Sequence, residues 1–268
     1  MPFPDAGKNN RNKIAAVLIT LNEESNLLAC LETVRWADEI VVVDSGSSDR
    51  TVGLARQFGA KVYHEAFKDF ASQKNAAIGH AACDWIFLID ADERVSGALA
   101  AEIMATVESD AGLSFVYAVE RETYFLKRRL RYSGTKKDAP VRLFPKAKVR
   151  YVQPVHEEID TTLPVRRLRN RMAHYSNSDL TIYTRKLRQY VALEIEFMAR
   201  TGRRVGLWDV FLRPPAKFFY LYLARWGILD GVAGFLYAFL SSVYDARKFW
   251  GGWKRQMQDS RCRIQDAK

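Results

Sequence analysis

Two aspartates separated by a single residue, Asp90 and Asp92, follow directly on the apolar run at residues 85–89. Side chains two positions apart in extended backbone project to the same side, so the pair predicts two carboxylates on one face. Two such carboxylates form a hard-oxygen site of the kind Mg²⁺ or Mn²⁺ takes, completed by the phosphates of a ligand. A cation there would act as a Lewis acid and neutralise a diphosphate leaving group. Turns and helix caps also contain Asp-x-Asp, so the pair alone decides little. Two other apolar runs raise its weight because they too end in polar and acidic residues. Ile14–Thr20 is followed by Asn22, Glu23 and Glu24, and Glu39–Val43 by Asp44-Ser-Gly-Ser-Ser-Asp49.

The elements that must position these acids are legible as a pattern. Residues 14–20, 39–44, 61–64 and 85–90 are apolar or β-branched runs of strand length. Residues 22–35, 51–58, 71–82 and 99–108 have helical spacing, and Gly59 reads as a helix stop. Strands alternating with helices of about ten residues predict a Rossmann-like α/β fold, a mostly parallel sheet with flanking helices. Ligands of such sheets bind at the carboxyl ends of the strands, where the acids fall. The segment Asp44–Asp49 reads both as a tight turn at Gly46, with Ser48 or Asp49 capping the next helix, and as a place where Asp44 meets a nucleotide base or ribose. Neither a P-loop nor a G-x-G-x-x-G occurs, which disfavours an NTPase and a dinucleotide enzyme.

After residue 114 the pattern changes to shorter strands at 115–120, 141–144 and 149–155, then a long amphipathic helix at 180–200. Three parts are expected: a flexible N-terminus at 1–12, a catalytic domain at 13–175 with halves 13–113 and 114–175, and a helical region at 176–268. Charge divides the same way: residues 1–120 hold 10 basic and 18 acidic groups, the remainder 31 and 13. An acidic half suits a cation and a basic half a polyanion or an anionic surface. In the last part, residues 228–244 are apolar but contain Asp230, and Arg225, Arg247, Lys248, Lys254 and Arg255 flank them. Seventeen residues are short for a bilayer crossing, and the aromatic, basic composition predicts a helix lying in the membrane interface. The three cysteines, Cys30, Cys83 and Cys262, are too dispersed for a disulfide framework or a zinc site. With no apolar leader-like run in the first residues, the expected compartment is the cytosol.

At Ile19-Thr-Leu-Asn-Glu-Glu24, Val41-Val-Val-Asp-Ser-Gly-Ser-Ser-Asp49, Phe70-Ala-Ser-Gln-Lys-Asn75 and Leu88-Ile-Asp-Ala-Asp-Glu-Arg94 the chain resembles inverting family 2 glycosyltransferases of the GT-A fold. The match covers roughly residues 13–100 and continues more weakly through Arg142–Lys146 and Val155–Glu158. Within the family it is most similar to bacterial lipopolysaccharide-core β-1,4-glucosyltransferases. The resemblance implies a UDP-sugar donor, inversion at the anomeric carbon, and Mg²⁺ or Mn²⁺. It implies that Thr20, Asn22 and Glu23 line the nucleotide pocket and Asp44 contacts the uracil or ribose. Lys74 is then near the donor phosphates, Asp90 on the ribose side and Asp92 on the metal, with His156 approaching metal or diphosphate. Many members carry Glu-Asp or Asp-Asp late in the domain where this chain has His156-Glu157-Glu158. The general base is expected to be Glu157, with Glu158 the alternative.

Arg142 and the basic segment 127–137 are expected to meet an anionic acceptor such as a phosphorylated lipopolysaccharide core. The implied activity is transfer of a hexose, glucose favoured, to a cell-envelope glycan on the cytoplasmic face of the inner membrane. A sugar nucleotidyltransferase would want a Gly-rich basic loop after the first strand, where this chain is acidic. A nucleic-acid binder is suggested by the basic second half alone and leaves the acids unexplained, so no nucleic-acid partner is expected.

Overall fold

The computed structural model describes residues 12–110, 112–135, 138–153, 158–176 and 180–266. Its strands are β1 (Ile14–Thr20), β2 (Glu39–Asp44), β3 (Lys61–His64), β4 (Trp85–Leu88), β5 (Glu93–Arg94), β6 (Val116–Ala118), β7 (Arg121–Phe125), β8 (Arg128–Arg129), β9 (Val141–Pro145), β10 (Arg150–Val152), β11 (Glu158–Asp160), β12 (Val165–Arg167) and β13 (Met172–His174). Its helices are α1 (Leu27–Glu32), α2 (Thr51–Phe58), α3 (Phe70–His80), α4 (Gly97–Ser109), α5 (Leu180–Arg200), α6 (Leu207–Phe211), α7 (Arg213–Phe219) and α8 (Gly231–Asp266). The chain divides into two compact units, Met1–Glu122 with Lys137–His174, and Thr123–Lys136 with Tyr175–Lys268. The β7–β8 hairpin therefore goes with the helices and not with the catalytic domain assigned from the sequence.

The first unit is built on a seven-stranded sheet in the order β12-β6-β9-β4-β1-β2-β3. The strands β4, β1, β2 and β3 run parallel, and β9 is antiparallel to both β4 and β6. The central strands are apolar on both faces because helices cover both. Ala16, Leu18, Trp85 and Phe87 join Leu27, Leu31, Leu99 and Ile103 in one core cluster. Their alternate neighbours Ala15, Val17, Ile86 and Leu88 join Ala77, Ile78 and Phe144 in the other.

Two expected boundaries move, both at the carboxyl edge of the central strands. The helix expected at 22–35 shortens to Leu27–Glu32, because Asn22 adopts φ +54° and the segment after β1 is tied to the β2–α2 loop. Ser47 Oγ, Thr51 Oγ1 and Asp49 Oδ2 accept from the backbone N–H groups of Asn22, Glu23 and Glu24. Strand β4 stops at Leu88, not Asp90, and residues 90–93 form a turn closed by Glu93 N–H donating to Asp90 O at 2.9 Å. The extended geometry that would set Asp90 and Asp92 side by side is therefore not what the chain adopts.

The second unit packs α5 and α7 along α8. A Cβ on Gly251 of α8 would collide with the Ile195 side chain of α5, so the absence of a side chain there permits the close approach. The hairpin seats Phe125 and Leu130 against Ala233 of α8.

Glu39 joins three segments of the first unit. Its buried carboxylate accepts from Lys61 Nζ and from Ala82 N–H, each at 2.7 Å. Burial raises its pKa, but the Lys61 and Ala82 hydrogen bonds outweigh that and hold it below the ordinary glutamate value. A depressed carboxylate contributes stability that is present above the unfolded pKa of about 4.3 and lost as pH falls through the lower folded value. Glu39→Gln is expected to cost about 1–3 kcal/mol at neutral pH, and the loss relative to wild type should shrink below about pH 4. Urea titrations at the two pH values measure both.

Candidate active site

The carboxyl edge of the central strands gathers most of the residues singled out from the sequence. Thr20 and Asp44 are register partners across β1 and β2, and Thr20 Oγ1 donates to Asp44 Oδ1 at 3.1 Å. Asp44 is 2% exposed, and its other carboxylate contacts come from its own loop. Gly46 N–H and Ser47 N–H donate to Oδ2 at 2.9 and 2.7 Å, and Ser47 Oγ donates to Oδ1. The loop Asp44–Asp49 is thus wrapped around its first carboxylate, with Gly46 at φ +101° making the turn. Asn22 completes it by accepting from Ser48 N–H at 2.9 Å. Asn22 and Asp44 fix the shape of this loop through these bonds. Glu23 lies beside them and accepts from Asn26 Nδ2 at 2.8 Å.

The turn after β4 carries the densest charge. Arg142, on the antiparallel strand β9, is 3% exposed, and its Nη2 lies 2.5 Å from both Asp90 Oδ2 and Glu93 Oε1. Glu93 is completely buried. It also accepts from Asp90 N–H at 2.9 Å and meets Arg121 Nη1 at 3.3 Å. Arg121 in turn bonds Asp138. Burial pushes the Asp90 pKa up, but the Arg142 charge outweighs it, helped by Lys74, and holds the carboxyl well below the usual aspartate range. The acceptor contact expected of Arg142 is replaced by an internal one, since its guanidinium lies beneath the turn with carboxylates as partners.

Asp92, on the same turn, faces a different group. Its Oδ1 is 3.6 Å from His174 Nε2, too long for a hydrogen bond. The Nδ1 of His174 is buried with no hydrogen-bond partner among the described residues. Burial lowers the His174 pKa, but Asp92 more than compensates and the net direction is upward. No trio of His, Cys, Asp and Glu able to hold a metal occurs among the described residues. A cation at Asp92 would therefore need ligand phosphates or water to complete its shell, which is how Mg²⁺ and Mn²⁺ are usually held. The Asp92 carboxylate is a hard oxygen donor of the kind such cations take.

Lys74, on α3, reaches this region, since its charge is felt at Asp90 and its Nζ lies 5.1 Å from the centroid of the Tyr151 ring. The neighbouring Asn75 grips β10 by donating to Tyr151 O at 2.8 Å and accepting from Tyr151 N–H at 2.9 Å. His156 and Glu157 lie outside the described residues. Glu158 is exposed at the start of β11, opposite Val152.

Sequence reasoning did not single out Glu93, Arg121 or His174. Glu93 lay in plain view beside the Asp pair. Arg121 and His174 had no local signal: His174 reaches the turn because β13 pairs antiparallel with β5, placing it opposite Glu93.

The family model for glycosyl transferase family 2 matches residues 15–186, from β1 through the start of α5. The chain belongs to glycosyl transferase family 2. Its sheet, mostly parallel with one inserted antiparallel strand and helices on both faces, is the GT-A arrangement, and it is a glycosyltransferase. The chain is 28% identical over 265 residues to the lipopolysaccharide core biosynthesis glycosyltransferase LpsC of Rhizobium meliloti (strain 1021), covering 95% of this chain and 97% of that one. It is 25% identical over 251 residues to the uncharacterized glycosyltransferase RC0292 of Rickettsia conorii (strain Malish 7), covering 85% and 86%. Among solved structures, S. aureus TarS 1–349 aligns at a TM-score of 0.47 and 13% identity, over 91% of this chain and 92% of that one. Glucosyl-3-phosphoglycerate synthase from Mycobacterium tuberculosis, in complex with Mn²⁺, UDP and glucosyl-3-phosphoglycerate, aligns at 0.44 and 17%, over 73% and 83%.

For this glycosyltransferase, removing Arg142 leaves the Asp90–Glu93 pair without its main counter-charge. Breaking a buried ion cluster from one side costs about 3–5 kcal/mol, so Arg142→Met should lower unfolding free energy by that order. Arg142→Lys should recover part of it. A loss under about 1 kcal/mol in urea unfolding would mean that the cluster is solvated.

Proposed function

We propose that the enzyme transfers a hexose, with glucose favoured, from a UDP-sugar to a lipopolysaccharide-core or related cell-envelope glycan, with inversion at the anomeric carbon and a divalent cation at Asp92. The arrangement of the β4 turn carries this reading. One aspartate is paired with Arg142, while the other faces His174 Nε2 at 3.6 Å. The acceptor class is suggested by the printed name of LpsC, which is similar over nearly the whole chain.

In this reading the two aspartates have separate duties. Asp90, kept ionised by Arg142, is fixed in place to accept from a ribose hydroxyl. Asp92, together with His174 Nε2 once the imidazole is neutral, would hold Mg²⁺ or Mn²⁺. When bound, the cation supplies charge neutralisation for the departing diphosphate. His156 is a further candidate for this shell. Lys74 adds a fixed positive charge toward the same phosphates, and Thr20, Asn22, Glu23 and Asp44 shape the nucleoside pocket. Glu157, with Glu158 as the alternative, takes the proton from the acceptor hydroxyl as its oxygen bonds to the anomeric carbon from the face opposite the diphosphate. The C–O bond to the diphosphate breaks and its electron pair leaves with the phosphate oxygen. Arg142 is a positioning residue for Asp90. The helical region holds the enzyme peripherally at the cytoplasmic face of the inner membrane.

A sugar nucleotidyltransferase and a nucleic-acid binder are less well supported. The acidic loop after β1 stands where the former would present backbone and cations to a triphosphate, and the Asp90–Arg142–Glu93 cluster serves no purpose in the latter.

The test is thermal stabilisation by UDP and by CDP, GDP and ADP, each with and without Mn²⁺. At a hundredfold excess over Kd a ligand adds about 2.7 kcal/mol, or roughly 5–10 °C for a chain of this size. UDP with Mn²⁺ should give that shift in the wild type, and Asp92→Ala and His174→Ala should abolish its metal-dependent part. Equal shifts with and without Mn²⁺ would overturn the metal assignment, and no shift with any nucleotide would overturn the donor.

A further inference from the structure

The helical unit shows an apolar surface that its own fold does not cover. Between Phe219 and Val232, seven large apolar side chains are exposed, among them Leu223 at 52%, Trp226 at 62%, Leu229 at 60% and Val232 at 70%. Single exposed apolar residues are ordinary, but a run of them is not. The backbone that displays them is unusual as well. Helix α7 passes into a π-helical turn, Tyr220–Ala224. Trp226 then sits in the left-handed region at φ +59°, ψ +25°, where a bulky side chain is a real outlier. Gly227 follows because a Cβ there would lie 2.6 Å from Leu221 O and 2.9 Å from Ser133 Oγ. Strain of this kind persists where the surroundings enforce it, and it clusters at functional places. Here it turns an indole outward into solvent.

Asp230 explains how the turn is held. Its carboxylate accepts from Arg131 N–H at 2.9 Å, Tyr132 N–H at 3.0 Å and Ser133 Oγ at 2.9 Å, and Ser133 N–H donates to Arg225 O at 3.1 Å. The acid that interrupts the apolar run is thus a latch onto the strand that leaves the β7–β8 hairpin. That hairpin turns through Leu126 and Lys127, both at positive φ, and exposes Lys127, Arg128, Arg129 and Arg131.

We propose that the turn Leu223–Val232 is an apolar wedge entering the interfacial layer of an anionic bilayer, with the β7–β8 hairpin cations seated on lipid phosphates beside it and Asp230 fixing hairpin to wedge. This rests on the peripheral membrane reading above and names the surface that carries it. Aromatic and aliphatic tips with arginines alongside suit the headgroup boundary. A second copy of the chain fits worse, because a two-fold contact on this face would oppose cation to cation. The stretch Gly227–Gln258 is long and apolar enough to cross a membrane by length and composition. Within it, however, buried Asp245 pairs with Lys217 and Lys248, and Leu240 O accepts from Tyr183 of α5. These contacts suit a helix packed on α5 and α7 better than one surrounded by lipid.

The test is co-sedimentation of the full chain with phosphatidylethanolamine–phosphatidylglycerol vesicles and with neutral phosphatidylcholine vesicles. The UDP–Mn²⁺ thermal shift checks that each variant keeps an intact donor unit. Wild type should bind the anionic vesicles and be released by high salt or alkaline carbonate. Trp226→Ser with Leu229→Ser should lose most binding to either vesicle. Arg128→Gln with Arg129→Gln should weaken anionic binding roughly 20-fold and leave the weak neutral binding unchanged. Asp230→Asn should fall between wild type and these variants, with helix content retained by circular dichroism. If wild type binds anionic vesicles and the wedge and hairpin variants bind equally well, the wedge is wrong while the membrane reading stands. If wild type binds neither vesicle, the membrane reading itself falls. Resistance to carbonate extraction would replace the wedge with a spanning helix.

Discussion

The guanidinium of Arg142 lies beneath the turn after β4, between a fully buried glutamate and an aspartate whose side chain is one-third exposed. Taking such charges out of water is unfavourable unless each is paired and hydrogen-bonded. Here the pairing comes from β9, the antiparallel strand inserted between β4 and β6. Because β9 is zipped to β4 through Phe87↔Leu143, Arg142 has little freedom to relax. The turn carrying Asp90, Asp92 and Glu93 is therefore held from below, and Arg121 adds a second support through Glu93. The rigidity of the sheet edge is an electrostatic requirement of its own acids.

A similar economy governs the loop after β2. Asp44 accepts from Thr20, Gly46 and Ser47, and the chain after β1 closes over the loop through Asn22 and Glu24. The Glu24 carboxylate accepts from Arg50 N–H at 3.0 Å. These are local side-chain-to-backbone bonds of the sort that displace helix, which is why α1 begins five residues later than the apolar spacing implies. Two loops that carry the acidic signature therefore define each other's shape, and the motif residues there serve architecture as much as contact.

The helical unit obeys another rule. Its interior acids are paired within the unit, with Asp230 on the hairpin, Asp245 on two lysines and Glu194 accepting from Tyr244 at 3.3 Å. Its apolar groups, in contrast, remain at the surface along the strained turn at Trp226.

Apolar runs of strand length were enough to predict a mostly parallel α/β sheet, and four motif segments carried the resemblance to family 2 glycosyltransferases. Those features are local: burial on both faces demands continuous hydrophobicity, and a turn demands Gly, Ser and Asp at set positions. The sequence alone could not decide which charge each acid meets. Asp90 and Asp92 are equivalent in an alternating pattern, and they part company because Arg142 arrives from 52 residues downstream and His174 from the pairing of β13 with β5. Nor could it decide that Arg142 is internal, or that Asp230 is a latch and not an interruption, since each depends on an antiparallel or helical neighbour distant in the chain. Spacing determines which face a residue takes within its own element; only tertiary pairing determines what charge stands opposite it.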